Sequence, residues 1–540
     1  MNIFSFIKNS DNKWIIVSIT FIIVLLCPIF SIILSSLDFE VNVWKHLIST
    51  KLGLYISNTL ILLLGVGLNS LFFGIATAWI IARYKFPFSN VFEWALILPL
   101  AIPAYIVAYC YTDLLDYSGF IQTSIRTIFD YKSSSEYFFP EIRSMGGAIF
   151  VMSFVLYPYV YLISKFSFLS TPINLYELAT IHGKSKFFQV AIPMARPGIV
   201  AGLSLVLMET ISDFGTVEFF AVETLTLGIF NLWLGMNNLA AASQVALVSF
   251  TFIIVLLAVE LTARRKQKFH DTEIKNIRSF KIKLNFRESI PIIIFCFTPI
   301  FLGFILPVMI LIDQGASDNS SSNLLELIEI SSNTLFIAAI SSFSIIIVST
   351  ILALTVKFKE NKILPFLATA AGSGYAFPGV ILALGTTYFF SYVQNYVFMK
   401  DITLIGTFIA LIFAYVSRFN AIGYGAINSG ILRMPPNLLE ASITLGYSFD
   451  KSVFKIVLPV IKPSILIAGI LAFVDIAKEL PITLLLRPFN FETLSTYVYQ
   501  YAKDEMFEDS AYAALLIVLV GLIPIFILNK IIKPEKFLTK

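Results

Sequence analysis

The stretch Asn174–Pro197, NLYELATIHGKSKFFQVAIPMARP, is polar and basic, yet apolar runs flank it on both sides. A near-copy stands later as Asn437–Pro463, NLLEASITLGYSFDKSVFKIVLPVIKP. Each copy has an acid, then small residues, a glycine six positions after the acid, and an apolar residue followed by proline (Ile192-Pro193 and Leu458-Pro459). Glu177 and Glu440 lie 263 residues apart, as do Gly183 and Gly446. Matched anchors at one spacing mark an internal duplication. Each copy reads as a short helix, a glycine break and a second short helix, because glycine accepts positive φ cheaply at a helix end. Pro193 and Pro459 stand where the next long apolar segment begins. Charges and irregular backbone of this kind need water or protein partners, so neither loop lies in hydrocarbon. One copy alone is an ordinary membrane loop; two at matching places point to a shared docking role.

Outside these loops the chain is strongly apolar. Of 540 residues, 57% are hydrophobic and 13% charged, and the mean hydropathy is +0.84. That composition excludes an ordinary soluble domain. Apolar segments of membrane-spanning length fall at about 14–34, 57–82, 91–112, 145–165, 197–216 and 242–263, then at about 291–312, 334–356, 364–389, 404–428, 463–485 and 510–529. The first segment follows Lys8 and Lys13 but is too long for a signal-peptide core, and is expected to be an uncleaved anchor. With both termini in the cytoplasm, about 28 of the 38 Lys and Arg face inward and about 8 outward, as the positive-inside rule requires. Both repeat loops then face the cytoplasm.

The chain divides into a first half, 1–265, a basic linker, 266–289, and a second half, 290–540, with the repeat loops at 171–197 and 435–463. Arg264, Arg265, Lys266 and Lys268 open the basic stretch, which reads as an inward-retention signal rather than a nucleic-acid site. Ala101-Ile102-Pro103 in span three parallels Ala376-Phe377-Pro378 in span nine. Six spans separate equivalent positions, so the halves run parallel. The expected fold is all-α: a polytopic membrane protein of about 12 spans in two six-helix pseudo-repeats.

Spans five and eleven carry charges at membrane depth. Glu209 matches Asp475, and Asp213 matches Glu479, giving each span two acids at i, i+4 and hence one helix face. A charge at mid-bilayer costs ~2.5–3.5 kcal/mol on the insertion scale, so four carboxylates cannot face lipid. Either they pair with Arg418, Lys478 or backbone donors and hold helices together, or they line a path for a cation. Hard cations prefer carboxylate and phenolate oxygen, and Tyr105, Tyr109, Tyr157, Tyr159 and Tyr161 in spans three and four either add such oxygens or serve interface anchoring and packing. The three cysteines and three histidines show no metal-ligand spacing. Gly183-Lys184-Ser185 resembles the end of a phosphate-binding loop, but Leu178 stands where its first glycine belongs, so no nucleotide site is expected on this chain. No nucleophile–base arrangement is visible, and no enzymatic activity is expected.

The loops resemble the cytoplasmic EAA loops of permease subunits in ABC importers. Glu440, Ala441, Gly446 and Pro459 match that family's spacing; Glu177, Ala179, Gly183 and Pro193 match it less fully, with Leu178 in place of the first alanine and three fewer residues between glycine and proline. Leu205–Phe230 and Phe473–Tyr499 resemble the iron(III) branch, which commonly fuses both permease halves. The resemblance implies the type I importer permease fold in a bacterial inner membrane. It implies coupling helices for two copies of a separate ABC ATPase that binds the ATP, no cofactor on this chain, and a periplasmic iron(III)-binding protein as donor. Thiamine or polyamine permeases, and an ion-coupled secondary transporter with the acids as relays, remain alternatives.

Overall fold

The computed structural model describes residues 10–38, 41–265, 281–317, 324–359, 363–397, 403–435 and 437–532. Among them, ten helices are long and apolar enough to cross a bilayer. They are span one (Lys13–Ser35), two (Leu52–Arg83), four (Met145–Ser170), five (Phe187–Ser212), six (Leu239–Ala258), seven (Phe286–Ala316), eight (Leu324–Phe358), ten (Phe408–Arg433), eleven (Phe449–Ala477) and twelve (Phe507–Ile527).

Spans three and nine are helix pairs, Ser89–Ala101 with Ala104–Phe129 and Leu364–Ala376 with Gly379–Tyr396, bent by 89° and 115°. Counting each pair once gives the expected twelve. Both bends fall at the prolines that the repeat aligns. Proline lacks an N–H and pushes the residue before it out of helical geometry. Ile102 and Phe377 are accordingly extended, with ψ of 125° and 135°.

The connectors follow the repeat as well. Helix α1 (Ile173–Ile181) and helix α3 (Asn437–Thr444) lie in the two loops. Helix α2 (Gly215–Phe219) follows span five. Helix α4 (Phe449–Ser452) opens span eleven, and helix α5 (Pro481–Leu486) follows it.

Packing cuts the chain differently from the sequence repeat. One compact unit gathers Met1–Glu40, Leu232–Leu247 and Asn323–Thr496; the other gathers Val41–Asn231, Val248–Ser322 and Tyr497–Lys540. Span one therefore packs with spans eight to eleven, whereas spans seven and twelve pack with spans two to five. In the first unit, the buried Ser18 hydroxyl donates to Thr355 Oγ1 at 2.8 Å. Span nine approaches span one so closely that a Cβ on Gly385 would lie 2.2 Å from the Pro28 carbonyl oxygen. In the second unit, Gly521 of span twelve lies equally close to the Ala101 carbonyl, at the break in span three.

Lys266, Lys268 and most of the linker lie outside the described residues. The linker's end forms a parallel pair of two-residue strands, Tyr84–Lys85 (β1) with Ile282–Lys283 (β2). Burial beside this pair pushes the Lys281 amine below the usual lysine range.

Candidate coupling loops and intramembrane charges

In the first loop, α1 ends at Gly183, whose φ is +63°; in the second, α3 is followed by Gly446 at φ +86°. Both glycines occupy left-handed backbone that other residues adopt only with strain. Each loop then runs into a π turn, Phe187–Ala191 or Val453–Val457, immediately before Ile192-Pro193 or Leu458-Pro459. A proline ring clashes with the carbonyl four residues earlier, and the wider π turn moves that carbonyl aside. The helix therefore passes through the proline instead of starting at it.

The three residues by which the loops differ have a definite place. The second loop carries α4 between glycine and π turn, and the first has no such helix. Glu177 is exposed, Ala179 is buried, and Ala441 and Gly446 are exposed; the Glu440 side chain is outside what the structure describes. Leu178, Ile181 and Phe188 in the first loop, and Leu445 and Phe454 in the second, are large apolar side chains at least half exposed. Such a run on a polar loop suits a docking surface.

The intramembrane acids divide into two kinds. Spans five and eleven end at Ser212 and Ala477, so Asp213 and Glu479 do not share a continuous helix face with Glu209 and Asp475 as the i, i+4 spacing suggested. They cap the short helices that follow. Asp213 Oδ1 accepts from the N–H groups of Thr216 at 3.0 Å and Val217 at 3.1 Å, and Oδ2 accepts from the Thr216 hydroxyl at 2.9 Å. Glu479 accepts from the N–H groups of Ile482 and Thr483 at 3.0 to 3.1 Å. A carboxylate there satisfies the free N–H groups of α2 or α5 and opposes the helix dipole.

Glu479 also pairs with Arg418 of span ten, Nη1 to Oε1 at 2.8 Å, with both side chains under 10% exposed. Thr483 additionally bonds Tyr415. By the register of spans four and ten, Arg418 corresponds to Val155, so the matching position of the first half carries no cation. Gly379, directly after Pro378, leaves room for the pair: a Cβ there would lie 2.3 Å from Arg418 Nη1 and 2.8 Å from Glu479 Oε1. Its counterpart after Pro103 is Ala104, where no arginine intrudes. Gly379 was not legible as a site residue, because its meaning rests on Arg418, far away in sequence.

Asp475 pairs with Lys478 at 2.9 Å, both about one quarter exposed. Glu209 is half-buried in span five. Tyr157 and Tyr161 are wholly buried, and their hydroxyls donate to the carbonyls of Leu96 at 2.9 Å and Glu93 at 2.8 Å. They tie span four to the first limb of broken span three. A further acid that sequence spacing did not single out, Glu218 of α2, accepts from the Tyr499 hydroxyl and lies 3.5 Å from Lys503 Nζ. No cluster of three or more His, Cys, Asp or Glu side chains able to hold a metal occurs among the described residues.

Residues 70–268 match the protein family described as binding-protein-dependent transport system inner membrane component. Over 488 residues the chain is 25% identical to the Fe(3+)-transport system permease protein FbpB 2 of Haemophilus influenzae, covering 88% of this chain and 89% of that protein. It is 22% identical over 507 residues to the ferric transport system permease protein FbpB of Actinobacillus pleuropneumoniae, covering 87% and 70%. The molybdenum transport system permease protein ModB of Escherichia coli is 23% identical over 201 residues, which are 36% of this chain but 84% of that protein. About a third of this chain thus spans most of that relative's length. The chain is a multi-pass membrane protein, and its residues 70–268 are similar to the inner membrane component of binding-protein-dependent transport systems.

Proposed function

We propose that this chain is the fused permease of an ABC importer that carries ferric iron across a bacterial inner membrane, with ATP hydrolysed on a separate subunit. The observation that carries the reading is the pair of loops. Helix, left-handed glycine, π turn and a span that runs on through a proline recur in both, each with exposed apolar side chains beside the glycine. Two ATPase copies would seat there, one per loop, and their closure on ATP would move both loops. Charge distribution supports a cytoplasmic location for the loops and for both termini. The repeat units are the halves 1–265 and 290–540, joined by the linker.

Ferric iron is supported by two relatives, named for Fe(3+) and ferric transport, that match both halves. Within the chain, Asp213 and Glu479 hold the helices that follow spans five and eleven. Glu209 and Asp475, less committed to capping, are the acids assigned to the cation path, where carboxylate oxygens suit a hard cation. The chain itself binds no cofactor and catalyses no reaction in this reading. The test is uptake into proteoliposomes holding the permease, its ATPase and its binding protein, with ferric iron, thiamine and polyamines offered in turn. Iron accumulation alone is expected; accumulation of thiamine or a polyamine instead would overturn the substrate.

A further inference from the structure

Two residues of α4, the helix found only in the longer second loop, have specific neighbours. Phe449 of α4 meets the Trp14 ring of span one edge-on, with centroids 5.5 Å apart and planes at 85°. It also meets Phe358 of span eight at 6.4 Å, and Lys359 Nζ lies 3.7 Å from its centroid. The next residue, Asp450, accepts from Trp14 Nε1 at 2.7 Å. One turn further along span one, the Ser18 hydroxyl joins it to Thr355 of span eight. The inner ends of two spans thus close on two adjacent side chains, through ring contacts and a cation over the ring at Phe449 and a charge-assisted hydrogen bond at Asp450. The first loop has no counterpart of Phe449. Its Tyr176 and Phe187 lie against Trp79 of span two, with Arg83 over Tyr176 at 4.0 Å.

We propose that Phe449 is a positioning residue that clamps the inner ends of spans one and eight to the second coupling loop, so that the three move as one body when the ATPase closes. The inference rests on the reading of 437–463 as a coupling loop. A hydrogen bond and an aromatic contact to a span that begins 436 residues earlier in sequence are what turn a loop movement into a movement of span one. The extra residues are then an added grip, and the two loops transmit motion through different spans.

The test uses the permease–ATPase complex with Cys27, Cys110 and Cys296 replaced by serine. Spin labels are placed on Lys13→Cys in span one and Lys451→Cys in α4, both exposed and neither among the apolar side chains of the docking surface. The distance between labels is measured without nucleotide and with ATP trapped. The same distance in both states is expected for the parent, and a shifted, broadened distance with ATP for Phe449→Ala. Asp450→Ala, which keeps the ring but removes the acceptor, is expected to broaden it less and serves if Phe449→Ala does not insert. A parent distance that changes on trapping ATP would overturn the clamp, as would variants that hold it as fixed as the parent. Gly446→Asp co-purification separates the two readings: ATPase retained on that variant sinks the coupling loop itself, whereas ATPase lost with a changing parent distance sinks only the clamp.

Discussion

A methyl group on Gly379 would meet both partners of the Arg418–Glu479 pair within 3 Å. Removing one member of a buried pair leaves an uncompensated charge, which costs ~3–5 kcal/mol. Arg418→Met is therefore expected to lower stability by about that much in thermal denaturation of the detergent-solubilised permease. Arg418→Met combined with Glu479→Gln should recover part of the loss, because the uncompensated charge is gone while an acceptor remains for Ile482 and Thr483. Gly379→Ala should be clearly destabilising, while Ala104→Gly in the first half should cost only about 1 kcal/mol or less. Equal effects at 379 and 104 would show that the arginine does not set the size of the residue after the proline.

At the scale of the element, the loop glycines matter for their backbone. Gly446 has open space around its missing side chain, as does Gly183, so a substitution there strains φ and adds bulk to an exposed surface without disturbing packing. Gly446→Asp is expected to abolish ATPase co-purification while leaving membrane insertion intact. Gly183→Asp is expected to be milder, because the first loop lacks α4; equal severity would argue that the shortened loop docks as fully as the long one.

These loops were the most legible part of the chain. Glycine and proline act locally, so their spacing carries the turn and the left-handed residue, whereas the next span begins ahead of the proline, at Phe187 or Phe449. The broken spans were half legible: Pro103 and Pro378 marked a break, but its angle depends on what packs around it. The acid pairs misled because i, i+4 spacing assumes an unbroken helix, and the helix stops between the two acids. The hydrogen bond that Tyr157 donates to the Leu96 carbonyl could not be read from the sequence, because Leu96 lies 61 residues away. Gly379 and Phe449 could not be read at all, since each is defined by a partner remote in sequence.

At the scale of the whole molecule, the packing units exchange spans between the sequence halves. Span one belongs with spans eight to eleven, and spans seven and twelve with spans two to five. A chain assembled this way is expected to need both halves for either to fold. Residues 1–265 expressed alone should be degraded or aggregate, and co-expression with 290–540 should restore membrane-embedded protein, judged by detergent extraction and gel filtration. Glu209→Gln with Asp475→Asn is expected to cut iron uptake at least tenfold without altering assembly, because neither residue caps a helix; uptake equal to the parent would leave those acids structural.

The claim that a separate ATPase drives this chain through its two loops is tested most directly by iron uptake into proteoliposomes containing the permease and its binding protein. Uptake is compared with and without the ATPase and ATP, and under a proton gradient alone. Accumulation only when ATPase and ATP are both present, and its loss in Gly446→Asp, is the result predicted. Accumulation driven by the proton gradient without the ATPase would contradict it.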